Sequence, residues 1–433
     1  MNQVEDHYLQ APEAVALAKR AQALRAKPFS DIISGQGPDT LQYVDLVMEG
    51  GGVLGIALVG YCYILEQANL RFLGIAGTSA GAINATLLAA MDTPSQPKSP
   101  KIIRALATVP MGSFVDGDSD AQDLVHTFLK VSAKEEPSLL DKVKIVAKGV
   151  QVVDNLEEQL GLNPGLAFER WITDQLDGVG IHTTAQLRQR LNTLPPDLRL
   201  RATDAPLTDP GAELVVIAAD LTTKSKVQFP RMAELYWDPP DKVHPARYVR
   251  ASMSIPFFFH PYAIYNLPEG EQAAERWRRH CNYSEAIPLA CYLVDGGVVS
   301  NFPIHTFHNY SKIPDAPTFG AKLGENSRLS GVTPPTGTEA SKHGRASRPG
   351  GLVGAIFDLA RHCLDDDFIV QNPDYSRLVT PIPTGEHHWL NFSMSDRDKL
   401  DLFLRGARAA IAFLEGFHWE DYKKIRARSL GLL

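Results

Sequence analysis

No stretch of about eighteen uninterrupted apolar residues occurs in this 433-residue chain, so no transmembrane helix is expected. The opening residues, Met1-Asn2-Gln3-Val4-Glu5-Asp6, are polar and acidic and lack the basic-then-apolar pattern of a signal peptide. Cysteine is scarce. Cys62, Cys281, Cys291 and Cys363 stand far apart, with no CxxC pair and no histidines at metal-finger spacing. That pattern argues against a disulfide framework and a structural metal, and it fits reduced thiols in a cytoplasmic protein. Positive charge is also short: 43 Lys and Arg against 50 Asp and Glu leave a net charge of −7. A mildly acidic chain has no electrostatic footprint for nucleic acid, and any membrane contact has to be local and peripheral. Hydrophobic residues make up 44% of the chain, enough for a sizeable core.

What is present reads as layered α/β. Residues 1–40 form a polar lead-in with a helix from Pro12 to Lys27, and one large domain runs from 41 to 433. Val44-Asp45-Leu46-Val47-Met48 reads as a buried strand, Val53 to Ala68 as a buried helix, Phe72 to Ala76 as a second strand and Ala80 to Met91 as a second helix. That βαβα order implies parallel strands. Residues 92–112 read as a loop, and about 113–200 as a helical cap inserted into the domain. Within the cap, the valines of Leu139 to Leu156 alternate with Lys142, Lys144 and Lys148, which suits packing on the main domain or contact with a membrane surface. Strands return at Glu213 to Ala219, Lys226 to Phe229 and Tyr292 to Val294, with a helix from Pro245 to Met253. A Gly-, Ser- and Pro-rich flexible loop covers about 324–351, and Ser395 with Asp398 caps a helix reaching Phe417.

Three motifs carry chemistry. Glu49-Gly50-Gly51-Gly52-Val53-Leu54-Gly55 lies between a strand and a helix, where glycines admit close backbone approach and a helix start offers free N–H groups to an anion. Gly50, Gly52 and Gly55 satisfy the dinucleotide-binding spacing, but no Asp or Glu occurs between Glu66 and Asp92 to hold a ribose. The second motif, Gly77-Thr78-Ser79-Ala80-Gly81, fits the G-x-S-x-G of a nucleophilic serine on a strained strand-to-helix turn. A serine nucleophile needs a base, and Asp295, ahead of Gly296 and Gly297 at the end of an apolar strand, lies on the edge where parallel sheets place their sites.

Together these blocks resemble the patatin-like phospholipase family. Ala219-Asp220-Leu221-Thr222-Thr223 and Arg250 to Phe259 resemble it as well, and the likeness covers about 43–90 and 213–320. It implies a three-layer α/β/α sandwich with a mainly parallel central sheet and a Ser–Asp dyad without a catalytic histidine. Ser79 is then the nucleophile, Asp295 the general base, and the N–H groups of Gly50, Gly51 and Gly52 the oxyanion donors. Gly55, Gly77, Gly81 and Gly297 support the motifs. The implied reaction is hydrolysis of carboxylic esters in lipids, with phospholipase A or lysophospholipase activity first and a neutral-lipid or small-ester esterase or an idle lipid-binding module as alternatives. A lipid is the implied partner, no metal or organic cofactor is required, and the sequence identifies no activating protein or small-molecule regulator. One departure bears on substrate: Leu54 stands where the family usually has Arg or Lys, which removes a cation suited to a phosphate headgroup. Glu49 replaces the commoner Asp.

Other residues invite rival readings. His260, His305, His387 and His388 are candidates for a Ser–His–Asp triad, with His305 or His387 following Asp295 in the right chain order. In such folds, however, the oxyanion turn and the serine turn are further apart than one helix and one strand. Asp365-Asp366-Asp367 reads as a solvated charge run, because three consecutive carboxylates do not converge on one cation.

Overall fold

The computed structural model describes residues 3–109, 111–117, 161–324, 365, 367–389 and 391–432. The expected cap between 118 and 160 and the expected flexible loop from 325 lie outside the described residues.

The described strands are β1 (Ile32–Ser34), β2 (Leu41–Met48), β3 (Leu70–Thr78), β4 (Gly161–Asn163), β5 (Arg199–Leu200), β6 (Glu213–Asp220), β7 (Ser225–Phe229), β8 (Phe257–Phe259), β9 (Tyr262–Tyr265), β10 (Ala290–Asp295), β11 (Thr318–Leu323) and β12 (Val379–Ile382). All but β4 and β8, which pair with each other, belong to one sheet. Its heart is a parallel run, β12-β11-β2-β3-β6. β1, β7, β9 and β10 join antiparallel, so the sheet is mixed. β3 is buried along its whole length, as expected of a parallel strand covered on both faces.

The helix Gly55–Gln67 is apolar nearly all round because it is enclosed nearly all round. The long helix Asp396–Gly416 packs against it so closely that a side chain at Gly60 would run into the Phe403 carbonyl and one at Gly406 into that of Ala57. Ser395 and Asp398 form the expected capping box. At the far end Lys27 Nζ donates to the carbonyls of Leu414 and Glu415 at 2.8 and 2.9 Å, a cation on the negative end of the helix. The lead-in thus packs on the main body. Its helix, Pro12–Ala23, is bound there by Arg20 to Glu415 and by Glu13 to Arg408.

One expectation for the loops is corrected. Within 92–112, residues Ser99–Thr108 form a helix that buries Ile102, Ile103, Ala105 and Leu106. Its N-terminus is capped from far away in sequence: the Glu66 carboxylate accepts from the N–H groups of Lys98 and Ser99 at 2.8 and 2.9 Å. A cap of this kind satisfies orphan donors without leaving a local sequence signal.

Candidate active site

The strand β3 ends at Thr78, and the chain turns at once into the helix Ala80–Ala90. Ser79, at the turn, has φ +53° and ψ −119°. A non-glycine residue in that region costs on the order of 1–3 kcal/mol and persists only where its surroundings enforce it. Here the N–H of Ser79 donates to Ser252 Oγ at 2.9 Å, and its carbonyl accepts from Ile83 at 3.1 Å. The flanking glycines leave the needed room. A side chain at Gly77 would strike the Gly81 carbonyl, and one at Gly81 would strike the Met48 carbonyl at the end of β2. Ser79 is 4% exposed, and its Oγ–H lies 3.2 Å from Met253 Sδ.

The glycine turn rests on this elbow. A Cβ at Gly50 would sit 3.0 Å from Ser79 Cβ and 3.1 Å from the Thr78 carbonyl. Gly55 faces Ala80, and Gly52 takes φ +56° against the Trp389 carbonyl. The N–H of Gly50 donates to the Asn301 carbonyl at 3.0 Å, so Gly50 differs from Gly51 and Gly52, whose N–H groups have no such bond among the described residues. Leu54 is 7% exposed and belongs to the core, so the position that bears the family's cation here faces inward.

Asp295 arrives by a route the sequence reading did not foresee. Along one edge of β6, residues Val216 to Asp220 pair with β7. The other edge is shared end to end: β3 occupies it as far as Thr78 opposite Ile217, and β10, running the other way, occupies it from Leu293 opposite Asp220 to Asp295 opposite Ala218. Two strands therefore meet tip to tip. Their last residues stand opposite consecutive residues of β6, a step of about 3.4 Å. Asp295 thus reaches the C-terminal edge of the parallel strands on an antiparallel strand, not by the parallel-sheet rule. It is 5% exposed; its Oδ1 accepts from the Gly297 N–H at 2.7 Å, and its own N–H donates to the Ser254 carbonyl at 2.8 Å. The segment Ser252-Met253-Ser254 consequently touches both Ser79 and Asp295.

Residues after Asp295 that the sequence reading passed over close the site. Thr78 Oγ1 donates to the Ser300 carbonyl at 2.9 Å. The Ser300 hydroxyl and the Phe302 N–H each donate to Asp365 at 2.7 Å. Asp365 is therefore not part of a solvated charge run: it is buried, and its burial pushes the carboxyl up to about 6 against those hydrogen bonds. Asp367 is exposed.

The triad candidates are engaged elsewhere. His305 Nε2 lies 3.0 Å from Lys226 Nζ, and burial, with Lys226 and His308 nearby, holds its ring down at about 4. His387 bonds Asp401 at 2.9 Å. Burial lowers His260 and His388 as well. Among the described residues, no histidine hydrogen-bonds the Ser79 hydroxyl.

Beside Ser79, Gly52, Ala80 and Met253 open into a cleft walled by Ile83, Leu106, Val109, Met111, Phe114, Phe168, Trp171 and Phe392. It is narrow. Of about 440 Å³, open mouth included, only about 40 Å³ is wide enough for the centre of a water molecule. The lining is almost wholly apolar, so the cleft suits a hydrocarbon chain once its side chains give way.

An α/β chain that strains a serine over a strand-to-helix elbow and stacks a glycine turn against its Cβ is built as serine hydrolases are built. Comparison with known proteins narrows the class. The patatin-like phospholipase family matches residues 46–308, more than half of the chain, and the chain belongs to that family of lipid hydrolases. It is 29% identical over 373 residues to the uncharacterized protein YqhO of Bacillus subtilis (strain 168), a match spanning 86% of this chain and 98% of that one. The crystal structure of VipD from Legionella pneumophila aligns at 14% identity with a TM-score of 0.39, covering 90% of this chain and 70% of VipD. No helix among the described residues is long and apolar enough to cross a membrane.

Proposed function

We propose that the protein hydrolyses carboxylic esters of lipids through a Ser79–Asp295 dyad and an acyl-enzyme. Ser79 Oγ attacks the ester carbonyl while its proton passes to Asp295. The tetrahedral oxyanion is held by the N–H groups of Gly51 and Gly52, with Gly50 shaping the turn that presents them. One such donor is worth about 3 kcal/mol of barrier. Collapse of the intermediate breaks the ester C–O bond, and the leaving alcohol takes the proton from Asp295. Water then gives its proton to Asp295 and attacks the acyl-enzyme. The acid leaves as Ser79 regains its hydrogen.

The tip-to-tip meeting of β3 and β10 carries this reading, because it brings the ends of two strands far apart in sequence within about one residue step on β6. In the resting arrangement the Ser79 hydroxyl faces Met253. On this reading the hydroxyl leaves the sulfur for the carboxylate by a change of its χ1 rotamer when substrate binds. The apolar cleft takes the acyl chain. A phospholipid is the first substrate, by family. A neutral lipid is the second, because buried Leu54 supplies no cation for a phosphate. Contact with the lipid surface is peripheral.

A fluorophosphonate probe tests the proposal. It labels the native protein on Ser79, and Ser79→Ala abolishes both labelling and release of fatty acid from mixed micelles, with the fold intact by circular dichroism. Asp295→Asn lowers turnover by at least 10²-fold on the scale of lost general-base catalysis. Turnover retained by Ser79→Ala rejects the dyad, and a native protein that neither labels nor turns over is a lipid-binding module. Parallel assays with phosphatidylcholine and triacylglycerol rank the two substrate classes.

A further inference from the structure

Asn301 is six residues beyond Asp295 and 2% exposed, and it grips Gly50 from both sides. Its main-chain carbonyl accepts from the Gly50 N–H at 3.0 Å. Its side-chain Nδ2 donates to the Gly50 carbonyl at 3.1 Å and to Glu49 Oε1 at 3.2 Å. Glu49 is fixed in turn, since its Oε2 accepts from the Leu323 N–H at 2.6 Å. The Oδ1 of Asn301 is buried, finds no hydrogen-bond partner among the described residues and faces Gly50, where any Cβ would run into it.

This grip has a geometric consequence. The peptide joining Gly50 to Gly51 is trans. In a planar trans peptide the carbonyl and the following N–H point in opposite directions. Fixing the Gly50 carbonyl on Asn301 therefore aims the Gly51 N–H away from Asn301. With the Gly50 N–H also held, two consecutive peptide planes of the turn are set by one residue. Glycines have no side chain to bias these planes and would otherwise sample several orientations.

We infer that Asn301 is a positioning residue: it locks the Gly50–Gly51 peptide in the orientation that presents the Gly51 N–H to the oxyanion of the reacting ester. Asn301 does not touch substrate. It couples the strand end that bears Asp295 to the glycine turn, so that base and oxyanion donor are registered on one framework. Glu49 completes the device by accepting the second hydrogen of the Asn301 amide, which dictates that the nitrogen, not the oxygen, meets the Gly50 carbonyl.

The inference rests on the Ser79–Asp295 reading, and the test separates the two. Purified native protein, Ser79→Ala, Asn301→Ala and Asn301→Asp are compared on a short-chain nitrophenyl ester and with an alkyl boronic acid, which forms a tetrahedral adduct on the serine. Asn301→Ala lowers kcat about 100-fold, the scale of one lost oxyanion donor. KM changes little, and boronate affinity falls by a factor matching the loss in kcat. Asn301→Asp sets an acceptor against the Gly50 carbonyl and the Glu49 carboxylate. Its activity relative to native protein is therefore lowest at high pH and climbs as pH falls, because a proton on the introduced carboxyl restores a donor. That relative pH profile is read within a single folded protein, so it stands even if Asn301→Ala fails to fold. Ser79→Ala without activity, together with an Asn301→Ala protein of native kcat and native boronate affinity, or a flat relative profile for Asn301→Asp, overturns the role of Asn301 and leaves the dyad in place. Activity retained by Ser79→Ala overturns both.

Discussion

Gly81→Ala measures how tightly the Ser79 elbow is set against the glycine turn. The added Cβ would run into the Met48 carbonyl oxygen and would lie 2.7 Å from its carbon and 2.9 Å from the Glu49 carbonyl oxygen, where ordinary contacts begin at 3.4 Å. The obstacles are backbone atoms at the end of β2 and the start of the glycine turn, so no flexible side chain can swing aside. The turn and the elbow must part by more than 0.7 Å, the difference between 3.4 and 2.7 Å for the Met48 carbon, because the Met48 oxygen is nearer still. Overpacking of this kind costs about 1–3 kcal/mol, offset by up to about 1 kcal/mol from alanine's better helix propensity. Misplacing reacting groups by about 1 Å costs on the order of 10²-fold in rate. Gly60→Ala is the control, because its Cβ meets the Phe403 carbonyl between two helices outside the active site. Stability is read by calorimetry, and kcat on a nitrophenyl ester is normalised to the serine titrated by a fluorophosphonate. Both variants lose stability, but only Gly81→Ala loses about 10²-fold in kcat per folded site. A folded Gly81→Ala protein with native kcat, or an equal loss in Gly60→Ala, refutes the idea that this spacing sets the rate.

Two further outcomes follow from side chains near the site. His305→Ala keeps native kcat on the same ester, because its ring sits against Lys226 and is held neutral above about pH 4. If His305→Ala is inactive while Asp295→Asn turns over, the triad reading replaces the dyad. Asp365 gives a pH signature. Its carboxyl rises from 3.8 to about 6 on folding, so the native state holds the proton more tightly than the unfolded chain. The stability this group contributes is fully present below about pH 4 and is lost as pH climbs to about 6, by up to roughly 3 kcal/mol. Asp365→Asn keeps the shape and removes the charge, with the Ser300 hydroxyl able to accept from the new amide. Denaturant midpoints from pH 4 to 6 therefore fall less steeply in the variant than in native protein, and parallel curves contradict the assignment.

The parts of this molecule that were legible in sequence are those whose causes are local. A helix apolar on all sides, Gly55–Gln67, announces its burial by composition. The elbow shows itself because the strained serine demands tiny neighbours two residues away on each side, and Gly77 and Gly81 are those neighbours. Ser395 and Asp398 spell a cap because donor and acceptor are three residues apart. What was missed depends on partners distant in the chain. The helix Ser99–Thr108 is capped by Glu66, β1 exists by pairing with β2, and Asp365 looked like surface charge until Ser300 and Phe302 were found to cover it.

Asp295 shows why the reason for an expectation matters. Reading it as the end of a parallel strand brings it to this edge by a rule the fold does not follow, since β10 runs against β3 and β6. The true constraint is steric and lies along one edge of β6. Two strands share that edge, so each must stop where the other begins, and both chains must leave the sheet sharply. β3 leaves through the strained Ser79, and β10 leaves through Gly296, where any side chain would strike the Ile217 carbonyl. The strain at Ser79 is then a consequence of the strand collision as much as of the role proposed for it. A substitution at Gly296 should accordingly disturb Ser79 through β6, although no bond joins the two residues.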